Sequence, residues 1–280
     1  MNLFENRKLL VATKHGKQEV LKPLLEMALN VKCFVSTEFD TDLYGTFSGE
    51  ILRKEDALST LRKKCLAAMS YYNCDLAVAS EGSFGPHPSA FFSTADDELL
   101  IFIDLKNNIE IVGRKVSMET NFASKSCRNL AEFEQFLDQV NFPSHKVILK
   151  NTRDYPSEIY KDSSNRQEVV RVFEMLLEKN GSVFVETDMR AMNNPTRMNV
   201  IKEAAEQLIL KIKSLCPDCQ FPGFSVTSAV PGLPCSCCNF RTKSILYNEY
   251  CCSKCDFSEK KYFPRNIQYE DPMYCDNCNP

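Results

Sequence analysis

Cysteines in closely spaced pairs dominate the end of this sequence. The chain has 280 residues and 14 cysteines, ten of which lie from residue 216 onward. Eight of those ten form Cys-x2-Cys motifs, namely Cys216–Cys219, Cys235–Cys238, Cys252–Cys255 and Cys275–Cys278. Each motif places two thiolates on one side of a tight turn, and two motifs together supply the four sulfur ligands of a tetrahedral Zn²⁺. The sequence therefore predicts two structural zinc ions, with three ways of pairing the motifs left open.

Other roles for these cysteines fit the spacing less well. An iron–sulfur cluster is one alternative, but evenly spread pairs are more typical of zinc ribbons. Unligated buried thiols are a second alternative, and the spare thiols Cys237 and Cys251 could shift a ligand by one position. None of the three histidines lies in this region, which excludes an open catalytic site built on histidine there. We therefore expect closed, structural sites.

The uneven distribution of cysteines also marks a domain boundary. We place an α/β domain at residues 1–213 and a small zinc-binding β-ribbon domain at residues 214–280. Thiols stay reduced in the cytosol. The apolar run Leu9–Ala12 is too short for the core of a signal peptide, and no later run is long enough to span a membrane. We expect a cytoplasmic protein with no membrane partner.

The charge balance does not favour nucleic acid as a partner. The whole chain carries a net charge of −3 at pH 7, and residues 216–280 hold six basic and seven acidic side chains. A surface that follows the phosphates of nucleic acid is usually clearly positive. We favour a folding or protein-contact role for the tail, and the sequence does not indicate an oligomeric state.

The first domain shows the alternation of strands and helices that is typical of an α/β fold. We predict a mixed central sheet with flanking helices. The predicted strands are 8–13, 31–36, 75–80, 90–94, 99–104, 109–116, 146–150 and 182–186. The predicted helices are 18–29, 55–72, 130–140, 166–179 and one that Asn194 caps, from Pro195 to about residue 215.

The turn between the first strand and the first helix carries two lysines. Lys14 and Lys17 flank a glycine, and the following helix begins at residue 18. A helix N-terminus offers free N–H groups and a partial positive charge, so this turn suits a phosphate group. It is not a complete P-loop pattern, and lysines that simply face solvent are the alternative.

A second polar turn follows the strand at 75–80. Glu81, Ser83 and His87 lie there on a stretch rich in glycine and proline. Open α/β sheets bind ligands beyond the carboxyl ends of their strands, so these side chains form a candidate site on one rigid turn. The alternative is a surface turn with a solvated glutamate. We also predict that residues 95–98 form a turn between antiparallel strands.

A third polar stretch lies between the strand at 182–186 and the helix that begins at Pro195. Asp188, Arg190 and Arg197 are candidates to hold a metal–phosphate group. Ion pairs that fix the loop are the alternative. For His145, which follows Pro143, a structural role is favoured over catalysis.

Taken together, three N-terminal motifs resemble those of a known enzyme family. They are Ala12-Thr13-Lys14-His15-Gly16-Lys17, Thr46-Phe47-Ser48-Gly49-Glu50 and the stretch from Asp75 to Gly82. Their order, over roughly residues 8–115, is similar to that of the house-cleaning nucleoside triphosphate pyrophosphatases of the inosine/xanthosine triphosphatase kind. The whole chain also resembles a bacterial family that joins such a domain to a cysteine-rich tail. Two departures are that the family usually has Asn where His15 stands, and that one branch has paired acids where Glu81 is followed by Gly82.

The resemblance implies Mg²⁺-dependent hydrolysis of nucleoside triphosphates. It makes Glu50 and Glu81 the magnesium ligands and, with Lys17, the catalytic residues. The expected substrate-binding residues, including those of the third polar stretch, are Thr13, Lys14, His15, Ser83, His87, Asp188, Arg190 and Arg197. The alternative is a non-enzymatic zinc-ribbon protein that binds a nucleotide, a nucleic acid or a protein partner.

Overall fold

The structure, a computed structural model, describes residues 3–35, 38–39, 56–90 and 92–280. Within them the chain divides into two compact units, Met1–Leu208 and Ile209–Pro280, whereas the cysteine distribution places the boundary at residue 214. The fold class is confirmed. The first unit contains a mixed sheet with flanking helices, and the second is a small β unit with clustered cysteines.

A mixed sheet with the strand order β2-β1-β3-β4-β5 organises the first unit. Strand β1 pairs in parallel with β2 and β3, while β3, β4 and β5 form an antiparallel meander. The bounds are β1 Lys8–Ala12, β2 Lys32–Val35, β3 Leu76–Pro86, β4 Thr94–Asp104 and β5 Ile109–Ser117. Helix α1, Gln18–Leu29, connects β1 to β2, and helix α2, Ala57–Tyr71, precedes β3.

The order of the parallel strands creates a topological switch beside β1. From β1 the chain passes through α1 to β2 on one side, and β3 then lies on the other side of β1. In open α/β sheets the crevice at such a reversal, at the carboxyl ends of the strands, is the usual ligand site. Here this place is the end of β1 at Ala12 and the neighbouring part of β3 at Ala79.

The two strands after the switch are longer than the sequence indicates. The predictions of turns at residues 81–88 and 95–98 are wrong over most of their length, because β3 continues to Pro86 and β4 begins at Thr94. A ladder that is continuous from Leu76 opposite Asp104 to Pro86 opposite Thr94 offsets the turn preference of the glycines. The proline is tolerated because it is the last residue of its strand.

A second, antiparallel sheet follows in the same unit, with the order β6-β9-β7-β8. Its elements are β6 Ser124–Cys127, α3 Leu130–Gln139, β7 Val147–Lys150, β8 Ile159–Tyr160, α4 Arg166–Asn180 and β9 Val183–Thr187. The rings of Phe133 on α3 and Phe173 on α4 stack at 4.2 Å in its core. Strands β6 and β8 were not predicted, because one is polar and the other spans two residues.

Helix α5, Pro195–Lys213, begins as predicted at the N-cap Asn194, whose side-chain oxygen accepts from the Arg197 N–H at 3.0 Å. The helix passes close over β5, since a Cβ at Gly113 would lie 2.6 Å from the Leu208 Cβ. It thus covers one face of the β4–β5 pair.

The second unit contains an antiparallel sheet with the order β10-β11-β12. The strands are β10 Ser225–Pro231, β11 Ile245–Cys251 and β12 Ser258–Tyr262. The cysteine motifs lie in the segments between and around these strands. Among the residues that the structure describes, no helix has both the length and the apolar character needed to cross a membrane.

Candidate metal sites and a buried charge cluster

Three of the cysteine motifs share one local design, Cys-x2-Cys-x-Phe. The residue after the second cysteine has a left-handed backbone with φ near +60°, as in Gln220, Asn239 and Asp256. Short polar side chains are among those that accept this conformation most readily. The turn closes when the first cysteine's N–H donates to the carbonyl of the phenylalanine, at 2.8 to 2.9 Å in all three motifs. The sequence therefore specifies a tight turn that directs both sulfurs to one side.

The structure brings the motif cysteines together in two tetrads. The first tetrad is Cys216, Cys219, Cys252 and Cys255, and the second is Cys235, Cys238, Cys275 and Cys278. The closest sulfur pairs across motifs are 3.6 to 3.8 Å apart. A disulfide is far shorter, near 2.05 Å. A tetrahedron of sulfurs with metal bonds of about 2.3 Å has edges of about 3.8 Å, so each tetrad could hold one metal ion.

The pairing that the sequence left open is interleaved. The first motif joins the third, and the second joins the fourth. Cys237 and Cys251 lie outside both tetrads, and Cys251 Sγ instead accepts from Thr227 Oγ1 at 3.4 Å. Backbone N–H groups of Cys237 and Lys254 point at ligand sulfurs at 3.4 Å. Such N–H donors stabilise negative charge on sulfur.

Buried charged side chains surround the switch in the first unit. Each has less than 9% of its surface exposed. We call the following group the charge cluster: Lys17, Lys64, Glu81, Asp96, Glu98 and Arg197. Charged side chains are rarely buried unless they form ion pairs or belong to a functional site. The partners of each one are therefore described in turn.

Glu81 belongs to the face of the sheet that α2 covers. Side chains alternate along a strand, and the neighbours Ala77 and Ala79 on that face pack in the core beneath α2. The Lys64 Nζ on α2 lies 3.4 Å from Glu81 Oε2 and 3.4 Å from the Ser80 carbonyl oxygen. Glu81 is therefore held inside the sheet by a lysine rather than placed on an open turn.

Glu98 occupies the opposite face of the sheet, below the start of α5. Its Oε1 accepts from Arg197 Nε at 2.6 Å, and Lys17 Nζ lies 3.7 Å from its Oε2. Arg197 also donates to the Met189 carbonyl. Gly82 lies directly across the ladder from Glu98, and its missing side chain makes room for the pair, since a Cβ there would lie 2.3 Å from Glu98 Oε1.

Asp96 shares the face of Glu98 and is fully buried. Neither of its carboxylate oxygens has a hydrogen-bond partner among the described residues, and Glu98 Oε2 has none either. Burial, with the nearby charge of Glu98, raises the pKa of Asp96 to about 8. Burial also lowers the pKa of Lys17 to about 8, against the opposing pull of Glu98. Both shifts show how strongly the cluster is desolvated.

The structure brings together part of the predicted site. Thr13, Lys17, Glu81 and Arg197 all lie at the switch, and Thr13 Oγ1 is 3.4 Å from the Ser80 Oγ on the neighbouring strand. Lys14 and His15 lie on the same turn and are half-buried, with His15 at φ +63°. Ser83 lies two residues beyond Glu81 on the same face. Glu50 lies outside the described residues.

His87 lies away from this group, at the far end of the hairpin that joins β3 and β4. It is six residues past Glu81, which is about 20 Å along an extended strand. Its ring Nδ1 accepts from the N–H groups of Ser89 and Ala90 at 3.1 and 3.2 Å. This side chain closes the hairpin loop, so it does not join the other predicted binding residues.

Asp188 and Arg190 are engaged with each other. Arg190 Nη2 donates to Asp188 Oδ2 at 2.6 Å, and the Arg190 N–H donates to Asp188 Oδ1 at 3.0 Å. Asn193 Nδ2 donates to the same carboxylate at 2.7 Å, and Asp162 binds the outer side of the guanidinium. The contacts match the loop-fixing ion pairs given as the alternative, so we leave both residues out of the proposed site.

Sequence reasoning missed Lys64, Asp96 and Glu98. A signal existed for each. Lys64 lies three residues after Leu61 and one before Cys65, on the buried stripe of α2. Asp96 and Glu98 continue the alternation of Leu100 and Phe102 toward the start of β4. Three consecutive acidic residues, Asp96, Asp97 and Glu98, are typical of a turn, so the alternation was not recognised as part of a strand.

The fold and the sites define an α/β protein whose cysteine-rich unit could hold two metal ions. Residues 64–280 match the family described as "Domain of unknown function (DUF6671)". Because the match covers more than three quarters of the sequence, the chain belongs to this family. No curated protein and no solved structure matches the chain. The matched range includes both tetrads and every member of the charge cluster except Lys17.

Proposed function

We propose that the first unit hydrolyses nucleoside triphosphates or related phosphorylated nucleotides with Mg²⁺, and that the second unit is a structural two-zinc module. The charge cluster carries the first part. It places desolvated lysines and carboxylates beside the carboxyl end of β1 and the neighbouring middle part of β3. This is the switch in strand order, where α/β sheets usually bind ligands. Strongly perturbed groups in such a place are typical of catalytic sites.

The cluster suits a phosphorylated ligand. Lys17 stands at the start of α1, so its ammonium and the helix N-terminus attract phosphate oxygens together. Thr13 and Ser80 add hydroxyl groups beside it. Arg197 fixes one oxygen of Glu98, and Lys64 fixes Glu81 from the other face. Magnesium, when bound, would neutralise charge on the phosphates. The resemblance of the N-terminal motifs to nucleoside triphosphate pyrophosphatases supports the same substrate class.

Turnover by the zinc-loaded full chain is the test of the hydrolase. The assay offers a panel of standard and deaminated nucleoside triphosphates with Mg²⁺ and detects both pyrophosphate and phosphate. We expect release from at least one nucleotide, and Lys17→Met should lower kcat/KM by about a hundredfold. The control is Lys115→Met, which removes a half-exposed lysine that pairs with Glu203.

Two results would count against the hydrolase. One is the absence of product with every nucleotide in the panel, and the other is unchanged turnover in Lys17→Met. Nucleotide binding without product would favour the non-enzymatic alternative instead. If the chain neither binds nor hydrolyses any nucleotide, both the hydrolase and the non-enzymatic nucleotide-binding protein would be excluded.

Zinc is the metal that the tetrads fit best. The sulfur spacing suits metal–sulfur bonds of about 2.3 Å, and four thiolates leave no open position for a substrate. An iron–sulfur cluster would need its cysteines wrapped around several atoms rather than one. Eight reduced cysteine ligands also fit a reducing compartment such as the cytoplasm.

Elemental analysis of the purified chain tests the zinc assignment. We expect one zinc for each tetrad, hence two per chain, and a loss of both in Cys-to-Ser variants of the two tetrads. Iron at a comparable level, or a zinc content well below one per chain, would contradict it.

A further inference from the structure

We propose that Asp96 and Glu98 bind a divalent cation of the Mg²⁺ class on the face of β4 that α5 covers. The inference deepens the proposed function, because it names the residues through which the cation would meet the phosphates of a nucleotide. It also moves the cation away from Glu81, which the resemblance to the pyrophosphatases made a magnesium ligand together with Glu50.

The two carboxylates share one face of a rigid strand. They are two residues apart on β4, so their side chains leave the same side of the sheet. Across the ladder they face Phe84 and Gly82, and the missing side chain of Gly82 makes room for the bond between Glu98 Oε1 and Arg197. Strand β4 is paired on both sides, by β3 and β5, which fixes the spacing of the two acids.

The carboxylate oxygens of Asp96 and Glu98 indicate a ligand because three of them lack hydrogen-bond partners in the described part of the chain. Both oxygens of Asp96 and Oε2 of Glu98 are buried and have no hydrogen-bond partner within the described residues. Nearly all buried polar atoms in folded proteins have a partner, and an exception calls for a bound ion, a water or a catalytic role. Three orphaned oxygens on one face are a donor set for a hard cation, which takes one or two carboxylates and completes its shell with water and phosphate.

The neighbouring cations leave these oxygens available. Arg197 Nε binds Glu98 through Oε1, which turns the other oxygen away from the guanidinium bond. Lys17 Nζ lies 3.7 Å from that second oxygen, a distance that balances charge without a hydrogen bond. Of the groups that face Asp96, Lys17 and Arg197 are positive and Glu98 is negative. A divalent cation would replace the lysine as the counter-charge and leave it for the phosphates.

Glu81 does not fit the same role as well. It lies on the opposite face of the sheet, where α2 covers it and Lys64 Nζ approaches its Oε2 to 3.4 Å. Because strands alternate their side chains, Glu81 and Glu98 cannot both point at one ion from the same face. The cation is therefore assigned to the acids of β4.

Binding of Mn²⁺ to the zinc-loaded full chain tests the site without relying on turnover. Free Mn²⁺ is measured by electron paramagnetic resonance, alone and with a non-hydrolysable nucleoside triphosphate analogue, and Mg²⁺ is used to displace it. We expect about one Mn²⁺ per chain beyond the zinc. Asp96→Asn should weaken it by about tenfold or more. This variant should still fold, because Asp96 has no hydrogen bond to lose among the described residues.

The matched control is Asp97→Asn. Asp97 is the next residue of β4 but lies on the opposite face, where Arg114 Nη2 holds it at 2.7 Å. It should bind Mn²⁺ like the unaltered chain. Equal Mn²⁺ affinity in Asp96→Asn and Asp97→Asn would overturn the proposal, as would the absence of Mn²⁺ binding with and without the analogue.

The outcomes separate this inference from the proposed function. Mn²⁺ binding that is lost in Asp96→Asn, in a chain without turnover, would support the cation site while removing the hydrolase. If the unaltered chain turns over nucleotide and Asp96→Asn binds Mn²⁺ with unaltered affinity, the hydrolase would be supported and the cation site at Asp96 would be excluded.

Discussion

Gly82 makes the clearest single-residue contribution to the charge cluster. It stands directly across the ladder from Glu98, and its lack of a side chain is what lets Arg197 approach the carboxylate. The notable property of this glycine is therefore the space it leaves. Its place after Glu81 suggests a turn in the sequence, whereas the structure uses it for close packing inside a strand.

Gly82→Ala should destabilise the fold. The new Cβ would lie 2.3 Å from Glu98 Oε1 and 2.7 Å from Arg197 Nη2, so the buried pair must move. We expect a loss of about 2 kcal/mol in the free energy of unfolding, measured by urea denaturation. Gly85→Ala on the same strand is the control, because nothing lies within 4 Å of a Cβ there. Equal losses in the two variants would contradict the close packing at residue 82.

The pair of Lys64 and Glu81 should behave as a buried ion pair. Glu81→Gln or Lys64→Met alone removes one charge of this buried ion pair, which should cost about 3 kcal/mol. The double variant should cost less than the sum of the two, as measured by a double-mutant cycle in urea. The exposed pair between Arg62 of the same helix and Glu110 of β5 is the control, with an expected coupling below about 1 kcal/mol. Additive losses at Lys64 and Glu81 would argue against their contact.

At the scale of elements, the start of α5 depends on a histidine from outside the helix. His145 Nε2 lies 2.9 Å from Thr196 Oγ1 and accepts from the Thr196 N–H at 3.4 Å, while its Nδ1 contacts Ser144 Oγ at 3.0 Å. Only the neutral ring can accept at Nε2. The structural role favoured from the sequence thus takes the form of a helix cap.

His145 should make stability fall in mild acid. Burial lowers its pKa in the folded chain, so the unfolded chain takes up the proton first as the pH falls. The contribution is complete above about pH 6.5 and is lost as the pH drops toward the lowered folded value. We expect thermal melting to show a loss of stability between pH 7 and pH 5 that His145→Gln abolishes. His87→Gln is the control and should keep the pH dependence of stability. If the pH dependence were lost in His87→Gln and kept in His145→Gln, the assignment to His145 would be contradicted.

The helices and strands explain why the fold class could be predicted from the sequence more readily than the residues of the charge cluster. Periodicity located α1, α2 and α5 because their apolar stripes follow the helical repeat. Strands β3 and β4 run on through glycines and acids because a partner strand pairs with them, and pairing is not visible in either stretch alone. The buried acids of β4 were therefore read as a turn.

At the scale of the whole molecule, the interleaved tetrads should couple the two metal sites. Each tetrad joins motifs that are separated by a motif of the other tetrad, so every closed loop contains a ligand of the second site. The spacing of the motifs specified the eight ligands, but the choice among three pairings depends on how the chain folds between them. We therefore expect metal binding and folding to be one process in this unit.

Loss of one ligand should therefore release both metals. In Cys219→Ser the first tetrad has three sulfurs, and we expect native mass spectrometry to show mainly metal-free chains rather than chains with one zinc. Cys237→Ser is the control, because this exposed cysteine lies outside both tetrads, and it should keep two zinc ions. A stable one-zinc form of Cys219→Ser would show that the sites fold independently.

A nucleoside triphosphate should bind where Lys17 meets the carboxyl end of β1 and the neighbouring part of β3 at Ala79. Isothermal titration of a non-hydrolysable triphosphate analogue into the zinc-loaded chain, with Mg²⁺ present, tests it most directly. We expect one binding site per chain, with an affinity that Lys17→Met lowers by about tenfold or more and Lys115→Met leaves unchanged. Equal affinity in the two variants, or no heat of binding in the unaltered chain, would contradict the claim.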